Sequence, residues 1–236
     1  QFTIMPILGF SLASLFNFPL EIAAGIILIG SSPSGLASNV MAYLAKANIA
    51  LSVTLTAVAT LVAPIITPFL MKTLAGSFVP IDFIAMMTSI FKIVIVPVLL
   101  GLVFNYFFHG KAKWLDKAMP IISMAGIGFI IMIITAAGRD DLLSIGLLLI
   151  LAAIIHNLLG YVFGYWGCRI FGMKEQDCRT IAFEVGMQNG GLATGIALEM
   201  GKISTVGLAP AIFGPWMNIS GSSLATWWRD KEPKKK

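Results

Sequence analysis

The sequence predicts an all-α protein that crosses a membrane many times, and three observations carry that prediction. Of its 236 residues 58% are hydrophobic and only 11% charged, whereas a soluble domain carries about 25% charged residues. The apolar residues fall in long runs, and a bilayer core takes about 20 residues of helix to cross. Runs such as 129–134 do not alternate in polarity, as the strands of a membrane β-barrel would.

Eight spans follow in order, near 1–15, 17–45, 48–72, 82–108, 118–138, 142–172, 176–201 and 203–228. The first is too short to cross comfortably. The second is interrupted by Ser31-Ser32-Pro33-Ser34-Gly35 and the seventh by Gly190-Gly191, residues that break or loosen helices. The remaining five read as continuous helices. No cleavable signal peptide is read at the start: the first residue is Gln1, with no charged stretch ahead of the apolar run.

The net charge of +5 invites a nucleic-acid reading, and the positions of the charges exclude it. With the C-terminus in the cytoplasm, Lys46, Lys111, Lys113, Lys117, Arg169, Lys174, Arg179, Arg229, Lys231, Lys234, Lys235 and Lys236 fall on the inner side. Only Lys72, Arg139 and Lys202 fall outside. That asymmetry orients the chain in an inner membrane and makes the tail at 229–236 a topology anchor against the lipid bilayer. Cys168 and Cys178 read as free thiols on the reducing side. His109 and His156 read as helix contacts rather than ligands.

Two short stretches repeat. Gly35-Leu36-Ala37-Ser38 is followed by Lys46, and Gly191-Leu192-Ala193-Thr194 by Lys202, each at an offset of 156 residues. Each lies in a broken span, and the two spans run in opposite directions. Matching interrupted segments in two inverted copies are the sequence sign of a transporter whose binding site lies where the breaks cross. The offset maps residue 1 onto 157, and the second copy begins near 82. Equal copies would then require a preceding segment of roughly 75 residues, two helices and part of a third.

Among eleven acids, Glu184 alone lies deep in a span. An ionisable group there costs at least ~2.5 kcal/mol, so it marks a functional site. Gln188 at i+4 is expected on the same helix face. Carbonyls of Val185, Gly186 and Met187 are expected to lose their helical partners where Gly190 and Gly191 unwind the span. The first break offers Ser38 and Asn39, and the next helix carries Ser52 and Thr56 four apart. Oxygen donors with a single negative charge suit a small hard cation rather than a soft metal. Sodium is the natural candidate and a proton on Glu184 the rival. The half-helix N-termini after each break favour an anion, with Asn189 and Asn218 nearby.

These residues carry a resemblance. The stretches 30–61, 184–193 (EVGMQNGGLA) and 213–222 (FGPWMNISGS) resemble the bile acid:sodium symporter family. The resemblance implies a bacterial member, truncated at its N-terminus, from a family of ten-helix transporters with a core and a panel domain. Residues 1–75 would be the first-repeat core, 82–138 the panel and 142–228 the second-repeat core. It implies two sodium sites, one of Ser38, Asn39, Ser52, Thr56 and Glu184, the other of Gln1, Glu184, Gln188 and the carbonyls of Val185 and Met187. Asn189 and Asn218 would line the solute cavity. Where the family often has Cys-Cys-Pro-Gly-Gly-Thr, this chain has Ser31-Ser32-Pro33-Ser34-Gly35-Leu36, so Leu36 replaces a threonine on the solute side. The implied function is sodium-coupled symport of an organic anion, bile-acid-like or a smaller carboxylate such as pantoate. A proton-coupled carrier and an inactive fragment are the alternatives. An enzyme is not expected, because there is no HExxH zinc motif and no second membrane acid to work with Glu184.

Overall fold

Every stretch read as a span is helical, and both spans carrying breakers are broken. The computed structural model describes residues 1–108 and 113–231. His109, Lys111 and the tail at 232–236 lie outside them. The described residues form α1 (Ile4–Leu15), α2 (Leu20–Gly30), α3 (Ala37–Leu44), α4 (Ile49–Leu70), α5 (Phe83–Ile90), α6 (Val96–Phe108), α7 (Lys113–Ala137), α8 (Arg139–Ile170), α9 (Glu175–Gly186), α10 (Gly190–Glu199) and α11 (Leu208–Arg229).

Local chemistry sets many of these bounds. Asn48, Asp82 and Asn189 cap α4, α5 and α10, each side chain accepting a first-turn amide at 2.9–3.1 Å. Pro64 and Pro68 withhold amides from α4, which runs on through a π turn at Met71–Ala75. A second π turn, Phe91–Ile95, joins α5 to α6 directly ahead of Pro97. Among the described residues three helical stretches are long and apolar enough to span a bilayer alone: Ile49–Ala75, Phe83–Phe107 and Arg139–Ile170. By contrast α2 and α9, with 11 and 12 residues, reach only about 16–18 Å at 1.5 Å per residue. Each covers half a bilayer, and its partner half-helix supplies the rest.

The inverted repeat extends well past the four matching residues. Adding the offset of 156 to α2 gives 176–186, against Glu175–Gly186 observed; adding it to α4 gives 205–226, against Leu208–Arg229. The central half-helices are buried in protein rather than lipid, residues 22–30 of α2 throughout and nearly all of 178–186 of α9. In α6 every residue from 96 to 107 is exposed and most are apolar.

Small residues let α8 and α9 touch at backbone distance. A Cβ at Gly160 would stand 2.8 Å from the Cα of Gly186, and one at Gly186 would stand 2.2 Å from the Tyr161 ring. Gly186→Val is therefore expected to lose about 3 kcal/mol or more through overpacking. Gly167→Ala, on the open side of α8 with nothing within 4 Å, should be neutral. Thermal midpoints in detergent compare the two, and equal midpoints would refute this packing.

Polar groups tie the helix ends. Arg179, 2% exposed, donates to Glu175 Oε1 at 3.1 Å and to the carbonyls of Ala45, Trp228 and Lys231 at 3.0–3.1 Å. Its guanidinium also lies 5.7 Å from the centre of the Trp228 ring. Asn48 donates to Asp177 at 2.8 Å beside Thr180, fastening the α3–α4 turn to α9. At the start of α2, Glu21 pairs with Lys202 and accepts from Thr205. Residues 21 and 177 are themselves 156 apart, so both copies use a first-turn acid to hold the loop of the other.

Candidate ion and solute site

The two breaks cross and bond through their main chains. The Gly35 amide donates to Met187 O at 3.2 Å and the Asn189 amide to Pro33 O at 2.8 Å, an antiparallel bridge centred on Ser34 and Gln188. This corrects the placement of the second break. The helix stops at Gly186, and Gly190 and Gly191 form the first turn of α10. Gln188 therefore lies beyond the helix that carries Glu184, and the i+4 face argument does not apply to it.

Glu184, in the last turn of α9, is 3% exposed. Its Oε1 accepts from Ser38 at 2.7 Å, Ser52 at 2.6 Å and Thr56 at 3.1 Å; its Oε2 accepts from Ser34 at 2.7 Å and Thr56 at 2.9 Å. Asn39 Oδ1 joins them, 2.8 Å from Ser52 and 3.2 Å from Thr56. Arg179 does not reach this carboxylate; its acid is Glu175. All the surrounding hydroxyls come from the first copy and the carboxylate from the second.

Protons are scarce in this cluster. Ser38, Ser52 and Thr56 own one hydroxyl proton each, yet they make eight oxygen–oxygen contacts of 3.5 Å or less with the amide oxygen of Asn39 turned inward. Several of those contacts have no hydrogen between them. Converging neutral oxygens around one carboxylate fit a small hard cation that brings charge and no proton.

The other predicted ion ligands form a neighbouring cluster. Gln1 Nε2 donates to Ser32 O at 2.8 Å and to Gln188 Oε1 at 3.0 Å, while Gln188 Nε2 donates to Val185 O at 2.6 Å. The carbonyls of Val185, Gly186 and Met187 have left the helical ladder as expected, but they are not bare. Gly186 O accepts from Asn157 at 2.9 Å and Met187 O from Gly35.

On the solute side the predicted residues separate. Asn218 is exposed and lines a cavity of about 490 Å³ between α7, α10 and α11. Gly190, Gly191 and Thr194 bring the N-terminal end of α10 to the same wall, and Ile127, Ile131 and Leu198 make it apolar. Among the described residues the lining carries no charged side chain. Asn189 lies outside it, its side chain spent on capping α10, and Leu36, 77% exposed, also lies outside.

Two contributors were not singled out from sequence. Ser34, between Pro33 and Gly35, reads from sequence as part of the helix break. Asn157 is fully buried in α8, bridging Gly186 O to Ser220 Oγ at 2.6 Å; an amide inside an apolar span was its only signal. His156 is the helix contact expected, its Nε2 lying 2.8 Å from Met5 O. Cys168 and Cys178 are both free.

Comparison with known proteins bears on the family. Residues 1–145 match the sequence model of the Sodium Bile acid symporter family. YocS of Bacillus subtilis, an uncharacterized sodium-dependent transporter, is 41% identical over 236 residues, all of this chain and 73% of that protein. The probable chloroplastic sodium/metabolite cotransporter BASS1 is 34% identical in Arabidopsis thaliana and 35% in rice, and the chain spans 58% of each.

Proposed function

The chain belongs to the sodium bile acid symporter family, and from that premise we propose that it couples the entry of an organic anion to sodium by alternating access. It is a membrane transport protein of a symporter family and not an enzyme. One observation carries the coupling: a buried carboxylate from one inverted copy is ringed at 2.6–3.1 Å by four hydroxyls from the other. Sodium between them would hold the two copies in one arrangement. Removing it leaves a buried carboxylate short of positive charge, which favours rearrangement.

In this reading Ser38, Asn39, Ser52, Thr56 and Glu184 take one sodium. Gln1, Gln188 and the Val185 and Met187 carbonyls, with Glu184, offer a second site. The solute occupies the cavity between α7 and the α10–α11 pair. Its carboxylate would face the α10 N-terminus and Asn218, and its apolar body the isoleucines. A bile-acid-like anion and a smaller carboxylate such as pantoate both fit this scheme. Helices α5 to α7, at 82–138, act as the panel against which the core at 1–75 and 142–228 moves. The protein sits in the inner membrane with its C-terminus, and the tail at 229–236, in the cytoplasm.

Uptake of labelled pantoate and taurocholate into proteoliposomes, under sodium, potassium and proton gradients in turn, tests this reading. The expected result is accumulation of at least one solute with sodium alone. Accumulation driven only by protons would replace sodium by a proton on Glu184. The two functions should also separate by mutation. Asn218→Ala should weaken solute affinity roughly 2- to 10-fold, the worth of one hydrogen bond, with sodium binding in the absence of solute unchanged. Ser52→Ala should do the reverse. Equal shifts of both affinities in both variants would show that the ion and solute sites are one.

A further inference from the structure

We propose that Ser34 is a further oxygen ligand of the sodium site at Glu184, and that it sets the preference of that site for sodium over lithium. The proposal rests on the sodium-coupled reading above. Ser34 is 1% exposed, and its Oγ donates to Glu184 Oε2 at 2.7 Å. That contact is as short as the one Ser38 makes to Oε1. It also comes from a different direction: Ser38, Ser52 and Thr56 lie on α3 and α4, whereas Ser34 lies in the crossing itself.

The position of this hydroxyl is fixed by the backbone. The amide and carbonyl that flank Ser34, those of Gly35 and Pro33, are both bonded to the second break, at 3.2 and 2.8 Å. The Cα that carries the hydroxyl is therefore held at the crossing, and its bond to Glu184 selects the rotamer. With its proton on Glu184 Oε2, the oxygen keeps lone pairs for a cation.

Ligand number and cavity size decide which of two like-charged cations a site prefers. A cage with one more oxygen suits the larger ion of the pair, and a smaller set suits lithium. Both oxygens of Glu184 are engaged by hydroxyls, while Gln1 and Gln188 bond to each other and to the carbonyls of Ser32 and Val185.

The test uses purified full-length protein in detergent, its thermal midpoint titrated with sodium chloride or lithium chloride against choline chloride at constant ionic strength. Ser34→Ala is expected to weaken sodium affinity about ten-fold, the size of a lost contact to a charged group. Lithium affinity should fall much less, and Ser34→Thr should restore the sodium preference. The midpoint in choline chloride should fall by several degrees, because the bond to Glu184 goes with the hydroxyl, so affinities are read from the rise that each cation produces above that baseline. If the alanine variant cannot be purified, Ser34→Gly removes the same oxygen and is read in the same way. Unchanged sodium affinity would overturn the assignment. So would equal weakening of both cations, which is what a merely structural role gives. A wild type unmoved by sodium would instead overturn the transporter reading on which this proposal stands.

Discussion

Glu184→Gln is expected to remove sodium binding altogether within the measurable range, while the protein still folds. The substitution preserves shape and leaves an amide that the four surrounding hydroxyls can bond in either sense. What it removes is the only formal charge in the cluster. A unit charge pair at about 4 Å and an effective dielectric of 20 is worth about 4 kcal/mol, which is close to a thousand-fold in affinity. Wild-type protein at a hundred-fold excess of sodium over its Kd should gain about 2.7 kcal/mol of apparent stability, and the variant none. Thermal midpoints in sodium and choline chloride measure both. A variant that still rises with sodium would move the ion away from Glu184.

Arg179→Ala should have the largest effect on stability and little on ion affinity. The side chain is buried and holds Glu175 together with three carbonyls from the ends of α3 and α11. Removing one partner of a buried ion pair costs about 3–5 kcal/mol, and each kcal/mol moves the midpoint about 2–4 °C in a chain of this size. Glu175→Gln should be milder, since its side chain is 13% exposed. The sodium affinity of the folded Arg179→Ala protein should match wild type, because no bond joins Arg179 to Glu184 among the described residues. A midpoint within a degree or two of wild type would show that the cluster contributes little.

Sequence made the spans and the two breaks legible because a bilayer imposes length and apolarity so strictly. Ser38, Ser52, Thr56 and Glu184 could be grouped before any coordinates, since hydroxyls and a lone carboxylate stand out against hydrocarbon. The exact end of α9 could not. Gly190 and Gly191 look like breakers, yet Asn189 caps the next helix and makes them its first turn, while Gly186 ends α9 and packs against Tyr161. Ser34 was hidden for a related reason. A serine next to proline and glycine reads as turn chemistry, and only the crossing shows that its side chain meets an acid 150 residues away. Arg179 takes its acid from the preceding turn of its own helix, Glu175 at i−4, rather than Glu184 five residues on.

The division of the ion cage between the two copies has a consequence for how the protein is made. The hydroxyls precede Glu184 by 128 to 150 residues, so at about 5–20 residues per second they enter the membrane several to 30 seconds ahead of it. In the interval they can rest on carbonyls of their own half, as Ser38 already does with Gly35 O at 2.8 Å. The carboxylate has no such refuge, and alone in hydrocarbon it costs at least ~2.5 kcal/mol. Synthesis in the native order lets the glutamate arrive at a receptor already in place. A chain permuted to translate 142–231 first would hold an unpartnered acid in the bilayer until its hydroxyls followed, exposed throughout to the quality control that removes such segments.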